Sequence, residues 1–163
     1  MTVHHYNVQC FWSGSTGVGY DSYPRRHSVA APPAEAALEL SSDPAFLGDQ
    51  RLLNPEQLVV AAASSCQLLS FLAIAARARV DVLEYRDQAE GIMDDSAEPA
   101  RIGRIELRPE IVVASGPSEE RVRRLVELGH EQCYVANSLS TEVVVTPQIA
   151  FRPESQVAVG EQA

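Results

Sequence analysis

Lysine is absent from this chain: all 13 basic side chains are arginine, set against 22 acidic ones. The missing lysine reads as a coding bias and carries no chemistry. The resulting formal charge of -9 disfavours sequence-independent binding to nucleic acid, which needs a basic footprint. Cysteine is nearly as scarce. Cys10, Cys66 and Cys133 are too few, and odd in number, for a secreted disulfide scaffold. No CxxC pair occurs, so no structural zinc site is expected, and no cofactor either. MTVHHYNVQC lacks a basic stretch followed by an apolar run. No signal peptide is read there, and the expected compartment is a reducing cytoplasm. GxSxG and HExxH are also missing, which removes the most recognisable hydrolase and metalloprotease signals. There is no internal repeat and no low-complexity block. A length of 163 residues suits one domain with a real core. That domain is expected over 1–152, with a frayed tail over 153–163.

Formal charge is missing from one long stretch, Gln57 to Ala76. Its length would span a bilayer. But it contains Gln57, Ser64, Ser65, Gln67 and Ser70, much of the rest is alanine, and its flanks carry no cluster of one sign. We read it as a buried helix of a soluble protein, with no membrane partner. Asn54 suits the N-cap, Pro55 the first turn and Glu56 the positive end of the helix dipole. The helix should run to about Arg79.

Around it the pattern alternates. Residues 3–12 read as a strand, 20–31 as a second interrupted at Pro24, and Ala36–Leu40 as a third, short one. Residues 32–54 are long for a structureless connection, which favours a functional loop or an interface segment. Residues 80–93 and 101–114 read as two strands around a polar turn. Pro117-Ser118-Glu119-Glu120 opens a second helix with Val122, Leu125, Val126 and Leu128 as its stripe. Thr141–Phe151 is a last strand. The order β-β-β-α-β-β-α-β indicates an α+β domain. A helix apolar on most faces needs more cover than two small sheets of one chain give, which points to a homodimer.

Few residues offer chemistry. GSTGVG (14–19) has nucleotide-loop spacing but no helix behind it, so a hairpin turn is the reading. His4 and His5 point to opposite faces of a strand. His130 and Cys133, at helical spacing, share a face but make a weak metal signal. Cys10 shares a strand face with Tyr6, Val8 and Trp12, as a packed core or interface thiol would. Cys66, in an Ala/Leu-rich helix, reads alone as an inert buried thiol.

Two longer phrases change that reading. Asn54-Pro55-Glu56-Gln57-Leu58, then Ala61-Ala62-Ala63-Ser64-Ser65-Cys66, resembles the first signature of the OsmC/Ohr family of thiol peroxidases. His130-Glu131-Gln132-Cys133-Tyr134-Val135-Ala136-Asn137-Ser138 resembles the second. Ser42-Asp43-Pro44-Ala45-Phe46-Leu47-Gly48-Asp49 and Ala89-Glu90-Gly91 fit the OsmC-like branch. The likeness spans about residues 5–151. Tyr134 replaces the Pro that often follows the second Cys in the hydroperoxide-resistance branch.

The resemblance implies an α+β fold with a long central buried helix, in an intertwined homodimer with active sites at the subunit interface. It implies a peroxidatic Cys66, a resolving Cys133, Glu56 as the carboxylate partner and an assisting Arg from the YPRRH hairpin. Arg25 is preferred over Arg26 because it stands two residues before His27. The implied activity is reduction of organic hydroperoxides, and of hydrogen peroxide as well, through a sulfenic acid and a Cys66–Cys133 disulfide, with a dithiol or thioredoxin-like reductant. The alternative is a non-enzymatic protein of this fold that binds an apolar ligand or senses oxidants.

The chemistry agrees in kind. The nucleophile is the thiolate, burial disfavours it, and a guanidinium held by a carboxylate restores it. Ten residues of unbroken helix place Glu56 about 15 Å from Cys66 along the axis. Sharing one Arg therefore requires either a break in the helix or a side chain from the other subunit.

Overall fold

The computed structural model describes residues 2–153. The tail expected over 153–163 lies, Pro153 apart, outside the described residues. The chain falls into two compact units, one up to Leu58 and one from Val59 onward.

The first unit is a three-stranded antiparallel sheet in the order β1 (Gln9–Phe11), β2 (His27–Ala30), β3 (Ala37–Leu40). The two longer strands expected over 3–12 and 20–31 shrink to these short pieces. The hairpin at GSTGVG is not tight. A long loop joins β1 to β2 and carries a 3-10 turn over Thr16–Val18, with Gly19 at φ 93, where a side chain would be strained. A second 3-10 turn, Pro44–Phe46, is capped by Asp43, whose Oδ1 accepts the Ala45 N–H. Gly48 closes this loop so tightly that a Cβ there would fall 1.6 Å from the Ser42 carbonyl oxygen. The unit buries little apolar surface. Leu40 is enclosed, while Tyr6, Val8, Phe11 and Leu38 are exposed.

Helix α1 (Pro55–Arg77) starts where expected. Asn54 Oδ1 accepts the Gln57 N–H at 2.8 Å, and Gln57 Oε1 accepts the Asn54 N–H at 3.0 Å. This reciprocal capping box satisfies two otherwise orphaned amides. Asn54 Nδ2 also donates to Asp43. Asn54→Ala should therefore lower stability by about 1–2 kcal/mol, read as a shifted denaturation midpoint. The helix stops at Arg77, not Arg79. Arg79 adopts a left-handed conformation (φ 57), and the Val80 N–H bonds the Ala75 carbonyl in a Schellman closure.

In the second unit, the three expected strands 80–93, 101–114 and 141–151 are all present, and each is broken once. They become β4 (Val82–Asp87) and β5 (Glu90–Asp94), β6 (Arg101–Leu107) and β7 (Pro109–Ala114), and β8 (Glu142–Val145) and β9 (Gln148–Arg152). The two halves of each strand go to different sheets, β4-β7-β9 and β5-β6-β8. The breaks line up across the strands. Pro109 and Pro147 lack the N–H that an unbroken ladder would use. At the break Asp87 Oδ1 accepts the freed Arg108 N–H, and the Leu107 carbonyl accepts the Thr146 N–H.

α1 lies on both sheets. Its Ala63, Gln67, Phe71 and Ala75, four residues apart, form the buried stripe. Phe71 and Ala75 join Val80, Ile111, Val113 and the inner face of α2 (Glu119–Glu131) in one core cluster. Ala63 packs with Ile105 and Leu107 in another. α1 is also long and apolar enough to cross a membrane, a test that the core helix of a soluble protein passes as well. Burial is narrower than the sequence suggested, because the sheets cover one side only, and Leu69 on the open side is 63% exposed. The outer face of β5-β6-β8 carries charge instead, with Arg104 and Arg108 tied to Glu90, Glu106 and Glu142.

Candidate active site

A short helix, α3 (Tyr134–Ser138), follows α2 after a break at Gln132-Cys133. Asn137 and Ser138 close α3. His130 and Cys133 therefore do not share a helix face. Cys133 instead caps α3, its sulfur accepting the Ala136 N–H at 3.5 Å.

This turn carries Cys133 to Cys66, near the middle of α1. The two thiols are close enough to perturb each other's ionisation, and no disulfide joins them. Their environments push them apart. Burial by itself raises the Cys66 thiol, but donation from the Val135 N–H, the Cys133 S–H, the Tyr134 N–H and the Ser70 hydroxyl outweighs it. Cys66 is thus held below the ordinary cysteine value. Cys133 is fully enclosed, and burial together with the neighbouring Cys66 raises it, against the bonds from Ala136 and Val135. The two shifts run in opposite directions and make Cys66 the more readily ionised sulfur, a division that suits nucleophile and resolver.

Ser70, one turn beyond Cys66, was not read from the sequence as a site residue, although its spacing of four on a helix was available. Because the thiolate is the reactive form, alkylation of Cys66 rises as pH passes its lowered value. Ser70→Ala should move that midpoint upward and slow alkylation at neutral pH about three- to tenfold. Iodoacetamide rates against pH, with Ser70→Thr retaining the wild-type profile, check this.

Gln67 pins α1 to α2 by donating to the Val126 carbonyl at 3.2 Å, and Gly129 of α2 faces the Phe71 backbone so closely that a Cβ would meet it at 3.1 Å. These contacts set the approach of the two cysteines. Beside them Ser64 donates to Asp87, and burial raises the Tyr85 hydroxyl well above its ordinary value.

Cys66 opens onto a cleft of about 470 Å³ along the uncovered side of α1. Its walls include Ala62, Leu69, Ala73 and Ile74, with Tyr134 at the rim, 81% exposed.

The other sequence candidates lie in the first unit. Arg25 donates to the Tyr20 and Tyr23 carbonyls, and its guanidinium lies 3.8 Å from the Tyr23 ring centroid. Its Nε has no hydrogen-bond partner among the described residues. Arg26 is committed to Glu39 at 2.8 Å. Glu56 sits in the first turn of α1, and the helix runs unbroken to Cys66. The alternative of a helix break is thereby removed. Cys10 is exposed, as are Tyr6 and Val8, so the core reading of that thiol fails within this chain.

Comparison with known proteins matches residues 48–148 to the model of the OsmC-like protein family. The chain belongs to that family. An OsmC-like protein of unknown function from Vibrio cholerae is 29% identical, over 90% of this chain and all of that one, with a TM-score of 0.82. An organic hydroperoxide resistance protein from Elizabethkingia anophelis shares the fold at 18% identity, covering 93% of this chain and 99% of that one, with a TM-score of 0.67. Another, OsmC from Legionella pneumophila, does so at 16%, covering 92% and 99%, with a TM-score of 0.65. No curated protein matches the chain.

Proposed function

We propose that this OsmC-like chain is a cysteine-based peroxidase that reduces organic hydroperoxides, with hydrogen peroxide as a second substrate. The observation that carries this is the neighbouring pair of unlike thiols, Cys66 lowered and Cys133 raised, at an apolar cleft. The Cys66 thiolate attacks the terminal peroxide oxygen. The O–O bond breaks, the alkoxide leaves and takes up a proton as the alcohol, and Cys66 becomes a sulfenic acid. Cys133 then attacks that sulfur, expelling water and forming the disulfide. A dithiol or thioredoxin-like reductant supplies two electrons and two protons to restore both thiols.

A guanidinium beside the sulfur would stabilise the thiolate and the leaving oxygen. Arg25 is the candidate, since among the described residues it carries no ion pair and its Nε has no partner, with Glu56 as the carboxylate that orients it. The working form is proposed to be a homodimer in a reducing cytoplasm. Support for the dimer comes from the first unit, a three-stranded sheet with Tyr6, Val8, Phe11 and Leu38 left open. A light-scattering mass near the 17.7 kDa monomer at micromolar concentration contradicts it.

The test is cumene hydroperoxide with a dithiol, followed by peroxide loss. Turnover that vanishes in Cys66→Ser is expected, and wild-type turnover no greater than that control ends the proposal. The apolar cleft also favours a second reading, a non-enzymatic carrier or oxidant sensor. A ligand retained through purification, seen by mass spectrometry, together with negligible turnover selects it.

A further inference from the structure

Two polar atoms in the core of the second unit have no partner among the described residues: Gln67 Oε1 and the Tyr85 hydroxyl. Burying either without a bond is costly. The two lie at neighbouring levels of one interface. Strand β4 runs beside α1, with the Ser64 hydroxyl donating to Asp87 at 2.5 Å and the Tyr85 ring 6.1 Å from that of Phe71. Gln67 stands between Ser64 and Phe71 on the helix, its side chain enclosed and its amide nitrogen on the Val126 carbonyl. Val126, Phe71 and Tyr85 pack in the same core cluster. Cys66 directly precedes Gln67, and Cys133 comes close enough for its charge to act on Tyr85. Burial above all, then Asp87 and Cys133, keep the Tyr85 proton in place, so this hydroxyl is a donor. Gln67 Oε1 only accepts. A lone donor and a lone acceptor beside a thiol match one water molecule, which has two bonds of each kind to make.

We propose that Tyr85 and Gln67 are positioning residues of the resolving step, holding one buried water that carries the Cys133 proton to the hydroxyl leaving Cys66. This rests on the peroxidase reading of Cys66. The water accepts from the Tyr85 hydroxyl and the Cys133 S–H, and donates to Gln67 Oε1 and to the sulfenic oxygen on Cys66. It takes the thiol proton as it gives one of its own to that oxygen. The Cys133 sulfur forms the S–S bond with its freed electron pair, the S–O bond on Cys66 breaks, and the hydroxyl leaves as water. The carrier water is regenerated, and no further acid or base is consumed. Cys133 is sealed from bulk base, so its proton needs an internal route.

Tyr85→Phe tests this, since it keeps the ring on Phe71 and removes only the hydroxyl. Rapid-quench alkylation after a peroxide pulse separates sulfenic acid formation at Cys66 from disulfide closure. Sulfenic acid is expected to form in Tyr85→Phe as in the wild type, and closure to slow about tenfold at neutral pH. The pH profile separates a proton path from a structural role. Around Cys133 stand Cys66 on α1, Tyr85 and Asp87 on β4, and His130 at the end of α2. His130→Gln is carried in both proteins to remove the imidazole. Wild-type closure is expected to stay nearly level from about pH 6 to 8, because the proton passes directly to the leaving hydroxyl. Closure in Tyr85→Phe should climb about tenfold per pH unit, because it waits for the Cys133 thiolate. A merely structural Tyr85 would slow closure equally at every pH. That result, or closure unchanged in rate and profile, overturns the proposal. A high-resolution crystal structure of the reduced protein should show a water bonded to both Tyr85 and Gln67, and dry packing between them overturns it as well. A wild type that forms no sulfenic acid refutes the peroxidase reading itself, and the proton path with it.

Discussion

Cys133→Ser is expected to consume about one equivalent of peroxide per chain and then stall, with Cys66 held as a sulfenic acid or over-oxidised. Cys66→Ser is expected to consume none at that site. The asymmetry follows from the two environments. Neighbouring donors lower the Cys66 thiol despite its burial, and it borders the cleft, so it is the more readily ionised sulfur and the reachable one. Cys133 is sealed, and burial keeps its proton on. Its contact with Cys66 already lies within one chain, so resolution should give an intrachain disulfide with little backbone movement. A dimedone adduct at residue 66, found by mass spectrometry in Cys133→Ser, checks the first half. A non-reducing gel without an interchain band checks the second. Sulfenic acid trapped at Cys133 in Cys66→Ser at the wild-type rate exchanges the roles. Cys133→Ser should also raise the Cys66 thiol, if less than alanine would, since serine still offers a hydroxyl donor.

The helix start was legible because its signals are local: Asn54, Pro55 and Glu56 act within one turn. The three long strands were legible for the same reason, since Ile105, Leu107, Ile111 and Val113 alternate visibly. Their bends were not. A two-fold pattern runs straight through Arg108 and Thr146, and only pairing with neighbours shows that the strands change sheet there. The meeting of Cys66 with Cys133 came from a resemblance, because the two lie 67 positions apart and no periodic signal links them. The short helix after Cys133 was not legible because no Gly, Pro or hydroxyl residue marks its start; a cysteine sulfur caps it instead. The narrow burial of α1 was equally hidden. Composition shows that a helix is apolar all round, but not how many sides the chain itself covers.

Gly129→Val is expected to cost about 1–3 kcal/mol of stability and to slow disulfide formation more than that loss alone implies. Gly129 stands where α2 crosses α1. A Cβ there would lie 3.1 Å from both the Phe71 nitrogen and its Cα, and 3.3 Å from its Cβ. The obstacle is helix backbone, which cannot swing aside as a side-chain tip does. Branched atoms on Val push further into the same space, so α2 must move off α1. The Gln67 bond to Val126 lies across this crossing and lengthens with it. Cys133 follows α2 by two residues, so the displacement is delivered to the sulfur pair. Alanine adds only the Cβ, which a shift of a few tenths of an ångström accommodates, and Gly129→Ala should fall between wild type and Val in both properties. Denaturant midpoints give the stability series. Rapid-quench alkylation after a peroxide pulse gives the rate of disulfide closure, compared where each variant is still folded. Unchanged closure in a folded Gly129→Val protein would separate the helix crossing from the chemistry and show that α3 alone positions Cys133.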